Sequence, residues 1–81
     1  MTFRVRLFAA LRELAGASYV EADGATVEDI VRQLAERFGE RFDDIARAGS
    51  VVVDGERAPL ETPLTGSEEV ALLPPVAGGG A

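Results

Sequence analysis

The chemistry open to this chain is narrow, and the residues best suited to it lie at one end. The last ten residues read LLPPVAGGGA. Pro74 and Pro75 cannot continue a sheet and favour an extended polyproline course. Val76 and Ala77 follow, then Gly78, Gly79, Gly80 and Ala81. The six residues from Pro74 to Gly79 can reach roughly 20 Å from a folded body at the maximum rise per residue. Prolines stiffen the base of such a tail and glycines slim its tip, a shape suited to threading a channel in another protein. Glycine at an acyl terminus also leaves its carbonyl unhindered, so adenylation of the carboxylate and later nucleophilic attack meet little resistance. On composition alone the plainer reading prevails, because most Gly-rich ends are disordered termini without a task.

The rest of the composition removes other chemistry. There is no cysteine, hence no disulfide, thiolate metal site or thiol nucleophile, and no histidine, the usual general base near neutral pH. An enzyme with catalytic machinery of its own is therefore not expected, nor a bound metal or cofactor. All eight basic residues are arginine, so the only amine is the N-terminus. A net charge of −6 disfavours nucleic acid and anionic membranes as partners. No signal peptide precedes the first apolar stretch and no run is long enough to span a membrane, which makes a cytoplasmic protein the expectation.

The elements that must hold such a tail can be read along the chain. Its 81 residues suffice for one small domain, and 47% hydrophobic against 27% charged residues argues for a packed fold over disorder. TFRVRLFAA alternates with a period of two and predicts a strand. ALRELAG predicts a short helical turn ended by Gly16. SYVEA predicts a second strand, antiparallel to the first. In TVEDIVRQLAERFGE, Val27, Ile30, Val31, Leu34 and Phe38 fall on one stripe of a helix. Thr26 is its expected N-cap with Asp29 in a capping-box position, Arg37 suits its negative end, and Gly39 stops it. RFDDIARAG predicts another short helical stretch, with Phe42 and Ile45 inward. SVVVDGER predicts a strand running into a turn at Asp54-Gly55, and Pro59 and Pro63 confine the next stretch to an edge or a loop. The last strand runs from Glu69 to Leu73. The expected fold is α+β: a mixed sheet of four to five strands, one main helix on one face, and short helical turns. Residues 1–75 would form the domain and 76–81 a flexible tail.

One helix covers one sheet face. Val5, Leu7, Val51, Val53, Val70 and Leu72 are expected beneath it. Arg4, Arg6, Phe8, Val52, Ala71 and Leu73 then point the other way. With the first and last strands as neighbours, Phe8, Val52 and Leu73 would form an exposed apolar cluster rimmed by arginine. Such clusters mark partner surfaces, although single exposed apolar residues are ordinary.

Order and motifs together carry a resemblance. LFAALRELAG, TVEDIVRQLAERF and above all PLTGSEEVALLPPVAGG resemble the MoaD/ThiS family of ubiquitin-like sulfur carriers, and within it the small subunits of molybdopterin synthase. The match spans essentially the whole chain. It implies a β-grasp fold. It also implies that a terminal glycine carboxylate, Gly79 behind Gly78, is adenylated with ATP by a partner of the ubiquitin-activating type and converted to a thiocarboxylate. In the molybdopterin branch the tail then enters the large synthase subunit and gives sulfur to precursor Z. The family's partner face corresponds to Phe8, Val52, Leu73, Pro74, Pro75 and Val76. Carriers for thiamin, cysteine or tRNA thiolation share much of the pattern. The departure is at the end: family members stop at Gly-Gly, whereas Gly80 and Ala81 come after it here. Trimming by a protease back to Gly79 is the expected remedy, and an interaction module that is never activated is the alternative.

Overall fold

The structure is a computed structural model and describes residues 1–75. Its longest helix, α2 (Val27–Phe38), starts where Thr26 and Asp29 exchange hydrogen bonds: the Asp29 N–H donates to Thr26 Oγ1 at 3.2 Å, and the Thr26 N–H to Asp29 Oδ2 at 3.3 Å. A helix leaves its first amides without partners inside itself. Here the chain 60–62 supplies them, with Val27 N–H donating to the Thr62 carbonyl at 3.0 Å and Glu28 N–H to that of Leu60 at 2.8 Å. Val27, Ile30, Val31 and Leu34 are fully buried along the stripe that the spacing predicts.

Gly39 ends α2 with φ +103 and at once begins α3 (Glu40–Ala48). That backbone region is costly for any side chain. The corner brings Phe38 and Phe42 to a ring separation of 5.4 Å. Arg47 of α3 then ties the two helices, at 2.7 Å from Glu28 and 2.7 Å from Asp43. The expected short helical stretch is thus a nine-residue helix packed on α2. Its inward residues are Phe42 and Ala46, with Ile45 only half-buried.

Five strands form one mixed sheet: β1 (Thr2–Leu7), β2 (Tyr19–Asp23), β3 (Ser50–Val53), β4 (Glu56–Arg57) and β5 (Val70–Leu73), in the order β2-β1-β5-β3-β4. β5 lies in the centre, parallel to β1 and antiparallel to β3. A short helix, α1 (Ala9–Ala15), links β1 to β2 and buries Leu11. In the β3–β4 hairpin Asp54 (φ +50) and Gly55 (φ +85) are both left-handed, the geometry that matches strand twist in a two-residue turn. The core gathers Phe3, Val5, Leu7, Val51, Val70 and Leu72 beneath the helices. It also takes Leu64, from the proline-flanked segment read as edge or loop.

β2 is an edge. Leu7 N–H donates to the Ser18 carbonyl and Gly24 N–H to the Met1 carbonyl, so the even-numbered residues of this segment face β1 and Tyr19, Glu21 and Asp23 turn their backbone outward. Two side chains of α2 meet that outer row. Gln33 Oε1 accepts from the Asp23 N–H at 2.6 Å, and Arg37 donates to the Glu21 carbonyl at 2.5 Å. Arg37 therefore serves a strand edge as well as the end of its own helix.

Candidate functional site

β5 is the strand that leads to the chain's end, and its pairing decides where that end leaves the sheet. Val70 and Leu72 point into the core, opposite Val5 and Leu7 on one side and Val53 and Val51 on the other. Burying each such side chain stabilises the strand by about 1.5–3 kcal/mol. The entry to β5 is held as well. The Glu68 carboxylate accepts from the Thr65 N–H at 2.8 Å, the Thr65 hydroxyl at 3.0 Å and the Gly66 N–H at 2.9 Å. These donors, Thr65 first and then Gly66, pull its pKa down to about 2. At the exit, Leu73 stands opposite Ser50, and Pro74, with no N–H to give, ends the ladder. Pro74 is half-buried and Pro75 exposed.

Gly49, the residue between α3 and β3, lies directly against this exit. A Cβ there would sit 1.9 Å from the Leu73 carbonyl oxygen and 2.9 Å from the Pro74 carbonyl carbon. The backbone of Leu73 and Pro74 occupies the space a side chain would need.

The face of the sheet away from the helices follows from the register. One row crosses it as Tyr19, Arg6, Ala71, Val52 and Arg57, and a second pairs Glu21 with Arg4. The Arg4 guanidinium lies 4.1 Å from the Tyr19 ring centre, and that of Arg6 lies 4.7 Å from Phe8. Such stacking fixes both cations over apolar surface. Phe8 heads α1 as its N-cap residue, in an extended conformation, with no side-chain hydrogen bond of its own.

Phe8, Val52 and Leu73 are all on this face as the alternation predicts, but each is half-buried rather than exposed. Phe8 and Val52 line one shallow depression of about 330 Å³ together with Ala71, Arg6 and Tyr19. Leu73 is not part of its lining; it stands one step beyond, next to Ser50 and the exit. The apolar spot is thus Phe8, Val52 and Ala71. Tyr19, 44% exposed, belongs to the same face and was not anticipated. The alternation of SYVEA carries the signal, since Val20 and Ala22 turn inward and leave Tyr19 opposite Arg6. Val76, Gly78 and Gly79 lie outside the described residues. Among the described residues no group of acidic side chains is gathered to hold a metal, and no helix is long and apolar enough to cross a membrane.

Comparison with known proteins places these features. The ThiS family model matches residues 5–79. Among solved structures, SAMP1 of Haloferax volcanii is 30% identical, with a TM-score of 0.78, covering 98% of this chain and 100% of that one. A chain of the BexX/CysO complex of Amycolatopsis orientalis is 28% identical, with a TM-score of 0.77 and coverage of 95% and 99%. A Pyrococcus furiosus protein described as molybdopterin converting factor, subunit 1, is 25% identical, with a TM-score of 0.79 and coverage of 94% and 99%. No curated protein matches the sequence at a significant level. The fold is the β-grasp of the ubiquitin-like sulfur carriers.

Proposed function

The chain belongs to the ThiS family, and from that premise we propose that it is a sulfur carrier whose working group is the carboxyl of Gly79. The carboxylate attacks the α-phosphorus of ATP on an adenylating partner, releasing pyrophosphate and leaving an acyl adenylate. Sulfur at the oxidation level of sulfide then displaces AMP, and the tail ends in a thiocarboxylate. The chain brings no base or nucleophile of its own to these steps. Its part is to present an unhindered acyl group on a slender arm, which agrees with the lack of cysteine and histidine.

The observation that supports this reading is the family match over residues 5–79, whose last matched residue is Gly79. Gly80 and Ala81 must then be removed before charging, because alanine would set a Cβ beside the acyl carbon. The geometry agrees: β5 runs from the middle of the sheet straight into Pro74-Pro75, with Phe8, Val52 and Tyr19 on the adjoining face for a partner to rest on.

The recipient we propose is the large subunit of molybdopterin synthase, supported by the likeness to the Pyrococcus protein. A second reading, supported by the 30% identity to SAMP1 and the 28% identity to the chain from the BexX/CysO complex, is delivery to another acceptor by the same charged terminus.

Intact mass from native cells tests the chemistry. The expected species ends at Gly79 with one oxygen replaced by sulfur. A full-length, unmodified mass beside an active adenylating enzyme would sink the proposal. Co-purification with a molybdopterin synthase large subunit selects the first recipient, and its absence beside other sulfur-accepting partners selects the second. Deleting Gly79 from the trimmed chain should abolish charging and leave the melting temperature unchanged.

A further inference from the structure

The exit of β5 is built around one missing side chain. Gly49 has φ −92, outside the left-handed region that most often calls for glycine. What calls for it is contact: the site of its absent Cβ is 1.9 Å from the Leu73 oxygen and 2.9 Å from carbonyl carbons of Leu73 and Pro74. All three are main-chain atoms and cannot swing aside as a side-chain tip can. Gly49 is itself held, its N–H donating to the Ile45 carbonyl at 3.0 Å at the end of α3. The next residue, Ser50, is locked in register with Leu73.

We propose that Gly49 is a positioning residue that sets the direction in which the tail leaves the domain; this rests on the sulfur-carrier reading. A methyl group at 49 must push the Leu73–Pro74 peptide back by about 1.5 Å to reach ordinary contact distance. Pro74 and Pro75 then act as a lever. Their fixed φ angles carry a displacement of the root outward instead of absorbing it within one residue. The expected consequence is an acyl group presented less well to the adenylating partner, while Phe8, Val52 and Tyr19, which Gly49 does not touch, still dock. Gly39 makes the control. Its φ is +103 and nothing lies within 4 Å of its absent Cβ, so alanine there strains α2 and α3 without touching the exit.

Two measurements on Gly49→Ala test this. The chain has no cysteine, so Ala77→Cys in the full chain carries a single nitroxide label. Gly49→Ala should move its paramagnetic relaxation footprint on the domain's amides, while Gly39→Ala lowers the melting temperature and leaves the footprint in place. With the chain ending at Gly79, ATP and an adenylating enzyme from the same genome, pyrophosphate release should show kcat reduced by about tenfold to a hundredfold and KM within about twofold of the parent, the pattern of a misplaced reacting group on an intact docking surface. An unmoved footprint in folded Gly49→Ala overturns the inference. So does loss of the cooperative fold, which would make Gly49 a requirement of the domain rather than of its tail. If the parent chain is not charged at all, the sulfur-carrier reading fails, and the footprint still decides whether Gly49 aims the tail.

Discussion

On the helix side of the sheet, Val5, Leu7, Val70 and Leu72 are 2% exposed or less, and on the other side Arg4, Arg6, Ala71 and Leu73 of the same two strands keep part of their surface in water. The two sides share a backbone and differ in what completes them. The helix side is finished by its own chain. The polar groups that start α2 all have partners, and Arg47 closes the seam between α2 and α3. The open side holds its arginines over Tyr19 and Phe8 and keeps a shallow apolar spot between them. A surface so arranged can meet a partner without rearranging. On the proposed reading, stability and recognition fall to alternate side chains on opposite faces of the same strands, and substitutions should separate them.

The largest effect belongs to the covered side. Leu72→Ala removes a fully buried side chain from the central strand and should cost about 2–5 kcal/mol in urea unfolding. A loss below about 1 kcal/mol would mean the core does not depend on β5, and the comparison would break. On the open side, Val52→Glu should weaken capture of the partner by about tenfold, or about 1.4 kcal/mol, with stability changed by less than about 1 kcal/mol. Equal losses in both measurements would erase the distinction. Thr26→Ala takes away the cap of α2 and should lower stability by about 1 kcal/mol, read by thermal unfolding, with no change in partner capture.

The smallest effect sharpens the picture at the entry to β5. The Glu68 pKa is depressed in the folded chain, from an ordinary 4.5 to about 2. Its stabilisation is therefore complete above the unfolded value and drains away as pH falls from about 4.5 toward 2. Glu68→Gln should flatten the decline of the urea midpoint over that window, by a modest amount because the group is exposed to solvent. An unchanged slope would show that the hydrogen bonds from Thr65 and Gly66 do not persist in solution.

Periodic features were legible in the sequence. The stripe of α2, its capping box, the Asp54-Gly55 turn and the inward row of β1 each depend on residues close together in the chain, and each is where the pattern places it. What the pattern could not supply were contacts between distant residues. Leu64 reads as part of a proline-flanked loop, yet it enters the core because that loop caps α2. The tight passage of Leu73 and Pro74 over Gly49 joins positions that only the fold brings together, and nothing local distinguishes that glycine from one that merely ends a helix. Leu73 fell outside the depression for a similar reason: β1 pairs only as far as Leu7, so the position beside it passes to Phe8 and the turn into α1.

One small arrangement bears on how such a molecule lives among its own copies. A five-residue border strand with a vacant row of amides and carbonyls invites an identical strand from a neighbour, and repeated pairing of that kind builds fibrils. Gln33 and Arg37 engage two of those groups on β2 from one helix turn, standing in for the missing neighbour. β4, at the opposite border, is only two residues long. Two outward groups of β2 are thus withheld from pairing and the opposite border offers only two residues, which shortens the template available for self-pairing.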